Sequence, residues 1–306
     1  MPIPPVFLYE YDLSRYEVMD GQQRLNSIMD FYENRFALKK LEKWHELNGF
    51  RYGELPESLR RGLDRRRISA TVLLVESSGQ RQPHQNDVRK LVFERLNTGG
   101  QHLNPQELRN CLYEGPLNSL LIRLSQAPLF TEIWEIPPYA KNVDRHGNIS
   151  SELRDNPLYK RMGDCQIILR FFAFRDKANI KGSVRSMLDR FMEESPDIPD
   201  PEIEIMEKDY LARLKLARDI FGERVFRYEN DDGKWELSQP LYDGIMIALD
   251  RLWDKRDRLL AHRARVVANI ERLLKKAKAF EVIVGRPNTA KAVQKRMDML
   301  VRAIKT

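Results

Sequence analysis

The spacing of apolar positions changes several times along the first half of the chain. Val6-Phe-Leu-Tyr-Glu-Tyr11 and Tyr16-Glu-Val-Met19 are dense in aromatic and β-branched residues, with Asp12-Leu-Ser14 between them. This predicts two strands joined by a short turn. Ile68 to Val75 is a nearly continuous apolar stretch, the pattern of a buried strand, and the arginine-rich Leu59 to Arg67 before it reads as a surface helix or turn. Between these strands Leu25, Ile28, Met29 and Tyr32 recur at the spacing of one helical face, and Asp20 with Gln23 has the spacing of a capping box. A second helix is predicted over Asp87 to Leu96, ending at Asn97-Thr98-Gly99-Gly100. A third begins at Asn104-Pro105-Gln106-Glu107, with a cap residue, a proline at the first helical position and an acid at the third.

Beyond about residue 125 the strand signals fade. Helical periodicity runs through Pro157 to Phe174, Gly182 to Glu194, Glu202 to Phe221, Pro240 to Trp253, Lys255 to Phe280 and Thr289 to Ile304, with polar linkers at Tyr139 to Ser151 and Ser195 to Pro201. The expected class is α+β. A small mixed α/β domain is expected over residues 1–125 and an all-helical domain over 126–306, in keeping with a length of 306 residues.

Composition excludes a disordered chain, at 42% hydrophobic and 32% charged. The formal charge of +7 is unevenly placed: the segment from Arg251 to Thr306 carries +11 and the remainder −4. That excess favours an anionic partner for the C-terminal segment. Cys111 and Cys165 lack a Cys-x-x-Cys spacing, which argues against a disulfide framework and structural zinc. No apolar run approaches the roughly 20 residues of a membrane helix, and the N-terminus lacks the cationic start of a signal peptide. A cytoplasmic protein without a membrane partner is expected.

Three constellations could carry chemistry. In Asp20-Gly21-Gln22-Gln23-Arg24, a glycine at a strand-to-helix turn allows close backbone approach, the first helical N–H groups favour an anion, and Arg24 offers a fork of donors to phosphate oxygens. The same residues equally suit a plain capped turn with a solvated arginine. Phe93-Glu-Arg-Leu-Asn-Thr-Gly-Gly100 sets Arg95, Asn97 and Thr98 beside a flexible glycine pair able to fold over a polyphosphate, or else forms an ordinary glycine C-cap. The third is the helix predicted over Lys255 to Phe280. An apolar stripe including Val266, Ile270 and Leu274 would pack inward, leaving Arg263, Arg265, Arg272, Lys275, Lys276 and Lys278 for a phosphate backbone or for solvent. The five histidines show no metal-ligand spacing, and neither a Gly-x-x-x-x-Gly-Lys-Ser/Thr loop nor a Gly-x-Ser-x-Gly elbow is present.

Taken together, Pro2-Ile-Pro-Pro-Val-Phe-Leu8, Tyr16 to Leu25, Asn48-Gly49 with Tyr52 and Leu55-Pro56, Phe93 to Gly100, and Leu103 to Asn110 resemble the N-terminal domain family of the GmrSD restriction endonucleases over about residues 1–115. The resemblance implies a ParB/sulfiredoxin-like fold whose strand-to-helix turn binds nucleotide phosphates. It also implies nucleoside triphosphate hydrolysis in prokaryotic defence against foreign or modified DNA. On that basis Asp20 and Arg24 would be catalytic, with Asp20 orienting a water or a magnesium ion. Gly21, Gln22, Gln23 and Arg24 would hold the nucleotide, and Arg95, Asn97, Thr98 and Gly99 would close over it. DNA would be the partner of the basic C-terminal residues. Relatives carry a Tyr-Gln-Arg segment ahead of the Pro-Ile-Pro-Pro stretch and a His-Asn-His nuclease domain behind. Neither has a counterpart here, so cleavage is expected to need a separate nuclease subunit. The competing expectation is a non-enzymatic nucleotide-binding switch or DNA-binding subunit.

Overall fold

A short antiparallel pair opens the described chain. In the computed structural model, which describes residues 5–12, 14–74, 104–113, 115–145, 147–195, 198–285 and 288–305, strands β1 (Val6–Asp12) and β2 (Arg15–Asp20) pair through Leu8↔Val18 and Tyr9↔Glu17. Helix α1 (Gln22–Tyr32) follows β2 after one residue, and helix α2 (Glu57–Asp64) precedes β3 (Ala70–Leu74). β3 lies parallel to β1, giving the order β2-β1-β3. All three strands and the surface helix before β3 stand where the apolar pattern places them. One expectation fails: β3 is not buried along its length, since Ala70 and Thr71 are exposed and Val72 is 38% accessible. It is an edge strand of the described sheet, so its apolar run has a neighbour on one side only.

The stripe of α1 also stays near the surface. No residue of α1 is fully buried, and Met29 is half exposed. Its C-terminal end is held by aromatic contacts instead: Tyr32 lies 4.4 Å from Tyr52 between ring centroids, and Phe31 touches Phe36 and Tyr52. The loop that follows is built on side-chain amides. Asn34 Oδ1 accepts from the Gly53 N–H at 2.7 Å and Asn48 Oδ1 from Leu41 N–H at 2.9 Å. The predicted helix at 87–96 lies outside the described residues.

The chain divides into two compact units, Met1–His102 and Leu103–Thr306. The division falls earlier than 125/126 because α3 (Pro105–Leu112) and α4 (Pro116–Ser125) bury Leu108, Leu112, Leu120 and Leu121 within the second unit. α3 starts as its sequence predicts. Asn104 Oδ1 accepts from Gln106 and Glu107 N–H at 2.8 and 3.0 Å, and Glu107 accepts in return from Asn104 N–H at 2.6 Å.

The core helices that follow are α5 (Gly163–Arg175), α6 (Val184–Glu194), α7 (Asp200–Phe221), α8 (Gln239–Arg251), α9 (Arg263–Leu274), α10 (Ala277–Ile283) and α11 (Ala290–Ile304), with shorter helical turns between them. α5 and α8 are apolar nearly all round and form the centre. Across them runs a buried polar layer. Arg170 grips the fully buried Asp243 with two hydrogen bonds, Arg296 Nη1 stands 3.9 Å from the same carboxylate, and the Tyr210 and Tyr242 hydroxyls pair at 3.1 Å. Two features depart from the helical expectation for this unit. A two-stranded ribbon, β4 (Arg227–Glu229) with β5 (Trp235–Leu237), interrupts the helices. The run Lys255 to Phe280 is not one helix, because it breaks at His262 and again at Lys275-Lys276.

Candidate functional site

The turn between β2 and α1 carries the motif residues Asp20 to Arg24 of the first unit. Asp20 ends β2 with its backbone opposite Phe7, and Gly21 then adopts φ 100°, ψ 5° as the N-cap of α1. A Cβ at Gly21 would also stand 2.6 Å from Val6 Cγ1. Conformation and space therefore both require glycine here. The N-cap is Gly21 and not Asp20, so the helix starts one residue later than the capping-box spacing suggests. Glycine offers no side chain to the first helical N–H groups, which are the donors an anion would use.

Gln22 and Gln23 are exposed on this first turn. Arg24 is half-buried and folds back along the turn, donating from Nη1 to the Pro5 carbonyl at 3.2 Å. The turn thus unites Gly21, Gln22, Gln23 and Arg24 in one short stretch. Arg95, Asn97, Thr98 and Gly99 lie outside the described residues.

Several residues of the motif-rich stretches hold structure. Tyr52 Oη donates to Asp64 Oδ1 at 2.6 Å, a bond that raises the Tyr52 phenol above its usual value. In α3, the buried Arg109 donates to Asp189 at 2.8 Å, to Gln106 Oε1 and to the Arg185 carbonyl, which fastens α3 to α6. Burial lowers the Arg109 pKa and the Asp189 carboxylate opposes that fall.

The six C-terminal cations are all exposed but do not form one stripe. Arg263, Arg265 and Arg272 belong to α9, Lys275 and Lys276 to the junction, and Lys278 to α10. Arg265 and Arg272, two helical turns or about 10.5 Å apart, share a face turned away from the buried Val266 and Ile270. Arg272 also donates to Asn269 Oδ1 at 3.2 Å. Among the described residues Arg263, Arg265, Lys275, Lys276 and Lys278 make no ion pair. No described helix is long and apolar enough to cross a membrane, and no described cluster of three His, Cys, Asp or Glu side chains could hold a metal.

Residues 1–114 match the family model of the GmrSD restriction endonuclease N-terminal domain. No curated protein and no solved structure matches the chain. The GmrSD-like segment contains the Asp20–Arg24 turn and runs on through α3, past the division between the compact units. A concave site in the second unit, walled by the ribbon and by α9 and α10, escaped the sequence reading. Its signal was present: Asn230-Asp231-Asp232-Gly233 between Arg227-Tyr-Glu and Trp235-Glu-Leu is a hairpin pattern.

Proposed function

We propose that the GmrSD-like unit binds a nucleoside triphosphate at the Gly21 turn and hydrolyses it, as part of a prokaryotic restriction or antiphage system in which the helical unit contacts DNA. The observation that carries this reading is the turn itself. Gly21 is buried against Val6 and makes the tight entry into α1, and the exposed first turn at Gln22 and Gln23 would then offer its uncapped N–H groups to phosphate oxygens. Gln22 and Gln23 would offer neutral hydrogen bonds to base or ribose, and Arg24 would neutralise charge developing on the transferred phosphoryl group. Magnesium would arrive with the triphosphate, whose oxygens supply most of its ligands, so a preformed carboxylate cage is not required. Asp20, the last residue of β2, would join them.

In the test, purified protein is incubated with magnesium and each common nucleoside triphosphate, and release of phosphate is measured for wild type, Gly21→Ala and Arg24→Ala. Turnover lost in both variants is the expected result. Wild-type inactivity, or undiminished turnover in Arg24→Ala, sinks the hydrolysis reading. The second reading, nucleotide binding without turnover, is favoured by the hydrogen bond from Arg24 to the Pro5 carbonyl, which gives the guanidinium a role in holding the turn. Saturable binding with no phosphate release would decide for it.

A further inference from the structure

The ribbon β4–β5, the end of α7, and helices α8, α9 and α10 enclose a cavity of about 630 Å³. This volume is within the range of ligand-binding clefts. Its lining mixes apolar side chains such as Ile245 and Ile270 with polar and charged ones, and among its aromatic rings are Tyr228 and Trp235 from the ribbon and Phe280 from α10. All three are partly accessible. Tyr228 and Phe280 meet edge to face at 5.4 Å, and the Tyr228 hydroxyl is fixed by donating to Glu236 at 2.8 Å. The guanidinium of Arg224 lies 4.4 Å over the Trp235 ring, with Glu271 Oε1 at 3.9 Å from it. A stacked guanidinium presents a second flat surface to the cavity.

The charges at the rim narrow the ligand further. Glu229, Asp231 and Glu271 line the cavity together with Arg224, Arg227 and Lys275. A mixed rim of this kind offers no concentrated positive field for a free nucleotide's phosphates, whereas carboxylates accept from the exocyclic amino groups of a base. Positive charge is concentrated outside the cavity, where Arg272, Lys276 and Lys278 are exposed on and between α9 and α10. The phosphates would therefore lie on the outer face while a ring entered the cavity.

We infer that this cavity receives a single nucleobase turned out of a DNA strand whose backbone lies on α9 and α10. The inference rests on the DNA-contact reading and adds to it a specific pocket. Tyr228, Phe280 and the Arg224–Trp235 pair supply the stacking surface, and the rim carboxylates receive base amino groups. A base already unpaired enters at lower energetic cost than one drawn from an intact pair.

Fluorescence anisotropy of the full chain with two labelled duplexes tests this, one fully paired and one with a central mismatch, at the same salt concentration. The mismatched duplex is expected to bind about tenfold more tightly, the scale of stacking one base on an aromatic wall. Tyr228→Leu and Phe280→Leu retain apolar packing and should erase that preference while leaving paired-duplex affinity within about twofold. Unchanged thermal melts would show that both variants are folded. Salt-dependent binding of the paired duplex with no mismatch preference, or a preference that survives Tyr228→Leu, overturns the pocket and leaves the DNA reading intact. Failure to bind either duplex removes both. Free nucleoside monophosphate bound as tightly as the mismatched duplex and lost in Tyr228→Leu would assign the cavity to a mononucleotide and overturn the extruded base.

Discussion

Asp164 is the second residue of α5, where the helix dipole favours a carboxylate, yet it is only 4% accessible. Burial wins: its pKa is raised from 3.8 to about 6, despite the Cys165 N–H it accepts at 2.8 Å. Between those two values the folded chain binds the proton more readily than the unfolded chain, so stability falls as pH rises through the window and the penalty is complete above about pH 6. Asp164→Asn keeps an oxygen for the Cys165 N–H and removes the titration. Relative to wild type, the variant should gain about 1.5 kcal/mol on going from pH 5 to pH 7.5 in urea unfolding. A difference between the two proteins that stays flat across that range would show that Asp164 is solvated. Gly21 illustrates the other residue-scale lesson. Its identity was legible as a turn glycine, but its second constraint, the methyl of Val6, arises from the pairing of β1 with β2 and has no local signature.

Helices α8 and α11 come together at Gly244. A Cβ there would stand 2.1 Å from Leu300 Cδ1 and 3.4 Å from Arg296 Cγ, both on side chains that are fully buried. Alanine favours a helix interior over glycine by about 1 kcal/mol, while overpacking a core costs about 1–3 kcal/mol. Leu300 is fully buried, so moving its side chain aside displaces other core atoms, and Gly244→Ala should lower the melting temperature. Leu300→Ala alone also destabilises, by opening a cavity. The double variant should lose clearly less than the two single losses combined, and strict additivity would show that the helices do not touch at this point. Elements with strong local signals were readable: α3 from Asn104, Pro105 and Glu107, and α7 from its helical periodicity over Glu202 to Phe221. The breaks inside Lys255 to Phe280 were not, because no proline or glycine marks His262 or Lys275-Lys276. Packing decides them, with Val266 and Ile270 buried on α9 and Ala279 and Ile283 on α10. The candidate site was legible to the same extent. The Asp20–Arg24 string is local and its turn follows from it, whereas the ribbon cavity joins residues 221 to 280 from six elements, of which only the ribbon hairpin has a local pattern.

On the scale of the molecule, the net +7 divides unevenly between the two proposed anion sites. The first unit, residues 1–102, carries 16 Lys/Arg and 14 Asp/Glu, a net +2, so a phosphate held at the Gly21 turn would rely on local dipoles and on Arg24 and not on a strong surrounding field. The last fifty-six carry +11, and the exposed Arg265, Arg272 and Lys276 leave much of that charge to solvent or to a polyanion. The two interactions should therefore answer salt differently. Local hydrogen bonds to one triphosphate displace few ions, whereas each cation that meets a duplex phosphate adds about 0.9 to the slope of log affinity against log salt. Replacing Arg265, Arg272 and Lys276 with alanine should reduce that slope by up to about 2.7 in an anisotropy titration with a paired duplex. Nucleotide affinity of the same triple variant should not change. A slope equal to wild type would place the DNA contact elsewhere, and a parallel loss of nucleotide affinity would show that the two anion sites are not separate.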